Sequence, residues 1–178
     1  MIGRLLRPIR ASADRSPLVS AAFTAPSTIT VTSPAFTSGG PMPTRCAGPG
    51  VGENASPQLQ WTGVPAGTEQ LVLILDDLDA PLPAPLLHSV AVLAPSLRRL
   101  QEGAFRAGPG VRIIPTRLSK TGYSGPRPIP GHGPHRYRFH LLALDCRTPE
   151  EAHAVNEVLT ASAGHVLARG LLTGTHER

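Results

Sequence analysis

The chain has 178 residues, and its 20 prolines and 18 glycines separate short apolar runs, as expected of one folded domain with many turns. The formal charge is +5, but the first 18 residues, with four arginines and one aspartate, supply +3 of it. Aromatic residues make up only 4% of the chain. A nucleic-acid-binding face needs clustered cations with interleaved aromatics, so this composition argues against nucleic acid as a partner. No apolar run approaches the roughly 20 residues of a membrane span, so we expect no transmembrane segment.

The first 18 residues form a basic arm, and residues 19–178 form the folded domain. The arm opens with MIGRLLRPIR, whose apolar pieces are too short for a secretory leader. We expect a frayed tail, with an amphipathic surface contact or a dimer contact as the alternatives. Cys46 and Cys146 lie 100 residues apart with no ligand-type spacing, which favours reduced thiols and a cytoplasmic chain and leaves one long-range disulfide open.

The middle of the chain is rich in strand signals. Residues 23–36 contain Thr, Val and Ile and predict one or two short strands, followed by a turn-rich crossing that ends near Trp61. QLVLILDD is continuously apolar, which predicts a central strand buried on both faces. HSVAVLAP predicts a second strand, residues 96–121 a loop or weak strand, and HRYRFHLLALD the strongest strand of the chain.

The C-terminal segment changes character. In RTPEEAHAVNEVL, Thr148 as N-cap, Pro149 at the first position and Glu151 at N3 predict a helix with a capping box. A second short helix is expected over residues 161–169. Strands followed by helices predict a mainly β (β-rich α+β) fold, with two packed antiparallel sheets and C-terminal helices.

Three segments carry polar side chains that could converge. Three acids, Asp76, Asp77 and Asp79, end the predicted central strand, although acids in a turn often serve only solvation and capping. His88 opens the next strand on one face with Val90 and Val92, where a packed histidine is the common case.

The third segment is PGHGPHRYRFHLLALD. Alternation places His135 and Tyr137 on one face, where both could donate to one anion, and places His140 on the other. His132, in the preceding turn, is expected to be exposed. Just upstream, the backbone N–H groups of Ser124 and Gly125 could form an anion-binding concavity.

The blocks NASPQLQWTGVPAGTEQLVLILDDLDAP and GYSGPRPIPGHGPHRYRFHLLALD, with His88 between them, resemble the phosphatidylethanolamine-binding protein family and its Raf kinase inhibitor-like bacterial and archaeal branch. The resemblance covers roughly residues 20–178. It implies a Greek-key pair of antiparallel sheets, a small cavity for phosphate-type anions and phospholipid headgroups, and a cis peptide before Pro81. The ligand-site positions that it implies are Asp77, His88, Gly125, Pro126, His135 and Tyr137, with Asp79, Pro81 and Arg127 in support.

The chain departs from the family pattern near these positions. Leu78 replaces a proline, and Leu86, Leu87 and Ser89 replace aromatic neighbours of the site histidine, which puts headgroup selectivity in doubt. Arg127 stands where a small or apolar residue is frequent, and it would add a cation for an anionic ligand.

We therefore predict a binding module for a small anion or phospholipid headgroup, which could also regulate a partner protein, and a homodimer. The alternative is a hydrolase or acyltransferase in which Asp77 and His88 or His135 act as general acid and base. It lacks an evident nucleophile, because the sequence contains no G-x-S-x-G elbow. No cofactor and no metal is expected; a metal at Asp77, His88 and His135 has feasible ligands but no spacing signature.

Overall fold

The computed structural model describes residues 2–178, which form two antiparallel sheets with a helix at the back. The smaller sheet has the order β1-β2-β5, and the larger has the order β6-β4-β3-β7-β8. The strands are β1 Thr30–Thr32, β2 Leu59–Thr62, β3 Gln70–Asp77, β4 Leu86–Leu93, β5 Arg99–Leu100, β6 Val111–Ile114, β7 His135–Leu144 and β8 Val166–His176. The helices are α1 Ile2–Leu6 and α2 Val155–Ser162.

The predicted mainly β fold is confirmed, including its Greek-key order. In the larger sheet β3, β4 and β6 lie side by side, and β7 returns to pair with β3 on its other edge. The continuous apolar run of β3 is the central strand, and Leu71–Leu75 are at most 1% exposed. Each such side chain stabilises the fold by about 1.5–3 kcal/mol relative to an exposed one.

Two apolar cores lie on the two faces of the larger sheet. The first core lies between the sheets and includes Trp61, Leu73 and Phe139. The second core lies under α2 and includes Leu18, Ile74 and Val158. The architecture therefore has three layers: small sheet, large sheet and helix.

The predicted helix at Thr148 begins later than expected. The Thr148 hydroxyl accepts a hydrogen bond from Arg112 instead of capping a helix, and Arg112 also binds the carbonyls of Pro149 and Ala152. The helix starts at Val155, where the Glu157 carboxylate accepts from the His153 and Ala154 N–H groups. A capping interaction therefore exists, but the N-cap is Ala154, six residues beyond the predicted Thr148.

The predicted second helix over residues 161–169 is wrong. Gly164 ends α2 with φ of 82°, and the chain enters β8, which pairs with β7 along its length. Ala168, Gly170, Leu172 and Gly174 are its inward positions. A Cβ on Gly170 would lie 2.7 Å from the Ile29 carbonyl oxygen, so glycine here permits close packing in a strand and does not mark a helix end.

The basic arm packs against the domain and is not the frayed tail that we expected. The Arg7 guanidinium donates to the Gly131 carbonyl, and Arg10 donates to the carbonyls of His132 and Pro134. Leu18, the last arm residue, is 2% exposed in the second core. Ile2, Leu5 and Ile9 remain exposed on the outer side of the arm.

Candidate functional site

A cavity of about 470 Å³ lies where β3, β4 and β7 meet the loop of residues 118–129. Its polar wall contains Asp77 at the end of β3, His88 in β4 and His135 at the start of β7. Apolar side chains form the rest of the wall, among them Pro81, Leu82, Leu86, Leu118 and Ile129. Arg127 is exposed and is the only arginine among the described residues that line the cavity.

The structure brings most of the predicted site residues to this cavity. Asp77, His88, Gly125, His135, Pro81 and Arg127 line it. Pro126, Tyr137 and Asp79 lie behind its wall: Tyr137 is fully buried, the Pro126 carbonyl accepts from the Gly48 N–H, and Asp79 is paired with arginines. The three acids thus separate into one that faces the cavity and two that do not.

Asp76 and Asp79 hold structural ion pairs. Burial acts to raise the pKa of Asp79, but bonds from Arg136 and Arg10 outweigh it and lower this pKa to about 2. Asp76, with no exposed surface, accepts two hydrogen bonds from Arg138 at 2.7 and 2.8 Å. Both carboxylates are therefore compensated by guanidinium groups within the fold.

Asp77 instead pairs with histidine. The His135 Nδ1 atom lies 2.7 Å from Asp77 Oδ2, and the His135 Nε2 atom lies 2.6 Å from His132 Nδ1. His132 Nε2 in turn lies 2.8 Å from the Leu6 carbonyl oxygen of the arm. Both nitrogens of His135 are thus engaged within the protein, which corrects the expectation that its N–H donates to a ligand.

His132, which contacts the site residue His135, was placed wrongly by the sequence analysis. It has no exposed surface, although its Gly-Pro turn predicted exposure. The contact with His135 arises because the turn doubles back over the arm, with Gly131 and Gly133 at φ of 78° and 97°. The His-x-x-His spacing was the available signal, but nothing in the sequence shows that the arm covers the turn.

His88 occupies a β-bulge. Leu75 pairs with Ser89 and Asp76 pairs with Leu87, so His88 has no partner residue on β3. The bulge turns His88 toward the first core, edge-on to Tyr137 with ring centroids 5.4 Å apart. The expectation that His88 shares a face with Val90 and Val92 is therefore wrong, because simple alternation ends at the bulge.

The His88 ring is a hydrogen-bond acceptor toward the cavity. Its Nδ1 atom lies 2.9 Å from the Ser124 carbonyl oxygen, which requires a proton on Nδ1. Burial lowers the pKa of His88, so the ring is neutral and its Nε2 atom carries a lone pair. A protonated phosphate oxygen or an ammonium group could donate to this nitrogen.

Tyr137 lies between the two histidines and keeps its proton. Its hydroxyl is buried and has no hydrogen-bond partner among residues 2–178. Burial, followed by the negative charge of Asp77, raises the pKa of Tyr137 well above its ordinary value. The Tyr137 hydroxyl therefore remains a hydrogen-bond donor beside Asp77.

The predicted concavity of backbone donors is wrong. The Ser124 N–H donates to the Ser89 hydroxyl, and the Gly125 N–H donates to the Asn54 side-chain carbonyl, both at 2.8 Å. Neither amide is free for an anion. The implied cis peptide before Pro81 is also wrong, since every peptide bond in the described residues is trans.

Metal-type side chains meet elsewhere on the surface. Ligand atoms of Asp145, Cys146 and His165 lie within 4.8 Å of one another at the far end of β7. His165 Nδ1 is 2.8 Å from Asp145 Oδ1, and both side chains are about half exposed. This arrangement is an exposed acid–histidine pair beside a thiol, and it is separate from the cavity.

No helix within residues 2–178 is long and apolar enough to cross a membrane.

Fold and cavity together define a class: a two-sheet β protein with a cavity at the end of its central strands, one wall of which is polar. The chain belongs to the phosphatidylethanolamine-binding protein family, whose family model matches residues 32–177. The match begins after the basic arm, so the arm lies outside the matched residues.

Individual relatives agree with this membership. The UPF0098 protein of Methanothermobacter thermautotrophicus is 40% identical over 131 residues, which span 71% of this chain and 85% of that protein. LppC of Mycobacterium tuberculosis, a protein named as a lipoprotein, is 33% identical over 151 residues, which span 84% of this chain and 72% of LppC. Among solved structures, Escherichia coli YbcL aligns with a TM-score of 0.75 at 27% identity, covering 85% of this chain and 99% of YbcL. The homologue CT736 of Chlamydia trachomatis aligns with a TM-score of 0.73 at 30% identity, covering 85% of this chain and 98% of CT736.

Proposed function

We propose that the chain is a binding protein whose cavity takes a phosphate-type anion or a phosphorylated headgroup. One observation carries the proposal: the cavity combines a cation at its rim with a hydrogen-bond acceptor inside, and the acid in its wall is paired with a histidine. Arg127 supplies the rim cation, and His88 Nε2 the inner acceptor. The name of the family, which refers to a phospholipid with an ammonium and a phosphate group, is consistent with such a ligand.

The ligand-contacting groups differ in role. Arg127 can bind two phosphate oxygens through its planar guanidinium, because only its Nη1 atom has a protein contact, at 3.3 Å from the Pro49 carbonyl oxygen. His88 Nε2 accepts a hydrogen bond from the ligand, and the Tyr137 hydroxyl can donate one if the ligand reaches the wall. Asp77, Gly125, Pro126, His135 and Pro81 shape and hold the wall, while Asp79 anchors the adjacent turn.

Calorimetric titration with inorganic phosphate and with phosphorylethanolamine tests this assignment. We expect Arg127→Gln to weaken binding about 10-fold, as loss of a charge-assisted contact does. Arg106→Gln, on an exposed arginine away from the cavity, is the matched control and should leave affinity within about 2-fold. Binding should be stronger at pH 5.5 than at 7.5, and His135→Ala and Tyr137→Phe should each weaken it. Equal affinities for the Arg127 and Arg106 variants would refute the assignment.

The geometry does not favour the hydrolase or acyltransferase alternative. A general-base dyad needs the outer histidine nitrogen to face the reacting group, whereas His135 Nε2 faces His132. Cys46 is buried, and its burial raises the pKa of its thiol to about 11, which makes it a poor nucleophile. A turnover screen with phosphoesters and acyl esters should give no activity above that of a His135→Ala variant.

We also propose a homodimer in the cytoplasm that could regulate a partner protein through the cavity face. The exposed Ile2, Leu5 and Ile9 of the arm support a contact between copies. The lipoprotein name of the mycobacterial relative makes location worth measuring. Native mass spectrometry of freshly purified protein reports retained ligand and oligomer together, and cell fractionation reports location. A ligand-free monomer recovered from the membrane fraction would overturn these points.

A further inference from the structure

The series Asp77–His135–His132–Leu6 contains three hydrogen bonds in a row, and each needs one proton. The terminal acceptor is a backbone carbonyl, which cannot donate, so His132 must carry a proton on Nε2. The Asp77–His135 and His135–His132 contacts need one more proton each. Two neutral imidazoles beside an ionised carboxylate supply only two protons, which leaves one contact unmade.

The charge balance gives the same count. Asp76 and Asp79 are each compensated by arginine, but within residues 2–178 Asp77 has only His135 as a charged partner. Asp77 is 4% exposed, and a buried carboxylate without a cation is strongly unfavourable. A third proton makes the series electrically neutral and completes every hydrogen bond in it.

The basic arm supplies the end of this series. His132 Nε2 contacts the carbonyl oxygens of Leu6, at 2.8 Å, and Ile9, at 3.2 Å. Gly3 packs so closely on the turn that an added Cβ would lie 2.1 Å from the Pro130 carbonyl oxygen. The arm therefore places two acceptors against the outer nitrogen of a buried histidine pair.

We propose that His132 and His135 share one added proton as an imidazole–imidazolium pair, and that this proton couples anion binding in the cavity to docking of arm residues 2–10. The coupling rests on the proposed function. Loss of the proton gives the series a net negative charge beside the cavity, which repels an anion, and breaks one of its three bonds. Loss of the arm removes the carbonyls that stabilise the cation.

Other charged groups surround the pair. Arg10 and Arg136 are paired with Asp79, and Arg7 is held by the Gly131 carbonyl, so their charges are fixed. The titratable and charged groups on the elements packed around the pair are Arg4, Arg7 and Arg10 of the arm, Asp76, Asp77 and Asp79 after or within β3, His88 of β4, Arg127 of the cavity rim, Arg136 and Tyr137 of β7, His176 of β8 opposite His135, and Arg178 beside Gly131.

Nitrogen-15 NMR of the histidine side chains in ligand-free protein tests the shared proton. At pH 7 we expect three protonated nitrogens across His132 and His135, which is one more than two neutral imidazoles carry. Two neutral rings at pH 7 would overturn the shared proton. This measurement does not depend on any ligand.

Arm variants test the coupling with inorganic phosphate as the probe. Gly3→Val should displace the arm and weaken phosphate binding about 5- to 20-fold, a usual range for coupled sites. Val19→Ala, on a side chain that is 53% exposed just after the arm, should change it less than about 2-fold. If Gly3→Val perturbs folding, as judged by circular dichroism, Arg7→Gln loosens the same contact from the surface. Equal phosphate affinities for the displaced-arm and Val19 variants would overturn the coupling.

Reciprocity gives a second readout. Saturating phosphate should slow tryptic cleavage after Arg4 and Arg10, because a ligand that favours the docked arm lowers the population of the undocked arm that trypsin can cleave. Unchanged cleavage rates contradict the coupling. If the wild-type chain binds no phosphate, the proposed function fails and the coupling fails with it, while the NMR result alone decides whether the proton is shared.

Discussion

Gly125 shows how a single residue position shapes the cavity. Its φ is not in the left-handed region, so the glycine is required by close approach and not by backbone conformation. An added Cβ would lie 2.1 Å from the Cys46 carbonyl oxygen and 2.9 Å from the Gly48 nitrogen. The residue thus lets the 46–48 loop and the 123–127 loop pack against each other along the cavity wall.

We expect Gly125→Ala to lower the free energy of unfolding by about 2 kcal/mol, since backbone atoms cannot move aside as a side chain can. Urea denaturation followed by circular dichroism measures it. Gly108→Ala is the matched control: an added Cβ there meets nothing within 4 Å, and its φ is also ordinary. That variant should be unchanged or up to about 1 kcal/mol more stable. Equal losses for both variants would show that close approach is not the reason for Gly125.

At the scale of elements, the bulge in β4 brings an ionisable ring into the core. His88 is 4% exposed, and burial lowers its pKa. The unfolded chain therefore binds a proton at His88 more readily than the folded chain does. The stability that this group contributes is complete above the unfolded pKa of about 6.5 and is lost progressively as pH falls below it.

We accordingly expect the free energy of unfolding to fall between pH 7 and pH 5, with His88 contributing at most about 1.4 kcal/mol per pH unit. In a His88→Gln variant the fall should be smaller over the same range. His153→Gln, on an exposed histidine, should keep the wild-type slope. Urea titrations at five pH values measure these slopes, and identical slopes in all three proteins would contradict a protonation penalty at His88.

The strands and helices also show which parts of the fold could be predicted from the sequence. Of the four long strands, β3, β4 and β7 were predictable, because apolar runs such as Leu71–Leu75 have few alternatives in a domain of this size. The segment after Thr148 was not, because Arg112, 36 residues away, captures the hydroxyl and carbonyls that a helix would use. The final strand, β8, was also missed. Its glycines Gly170 and Gly174 allow residues 29–42 to pack closely against it, and this contact with a distant segment cannot be read from the local sequence.

The same limit applies to the site. Alternation correctly placed Tyr137 in the first core with Phe139 and Leu141, since β7 is regular there. It failed at His88, where the strand bulges. The exposure expected of His132 from its Gly-Pro turn was also wrong, because the arm covers that turn. Residue types near a cavity can thus be predicted from the sequence, whereas hydrogen-bond partners depend on contacts between distant segments.

At the scale of the whole molecule, the two sheets share one core. Val31, Leu59, Trp61 and Leu100 of the smaller sheet lie in the same cluster as Leu71, Leu73, Phe139 and Leu141 of the larger. The smaller sheet has only three short strands, and such a sheet gains most of its stability from what it packs on. We infer that neither sheet retains its structure without the other.

Trp61 makes this inference measurable, because it is the only tryptophan, is 2% exposed and lies in the smaller sheet. Its fluorescence reports that sheet, whereas far-ultraviolet circular dichroism is dominated by the longer strands of the larger one. The two urea transitions should coincide. Leu73→Ala, in the larger sheet, should lower both midpoints together and the free energy of unfolding by about 2–5 kcal/mol. The exposed Leu171→Ala should move neither by a comparable amount, since its side chain is 51% accessible. Separate transitions would mean that the smaller sheet opens on its own, and that the loops along the cavity could move without unfolding the central strands.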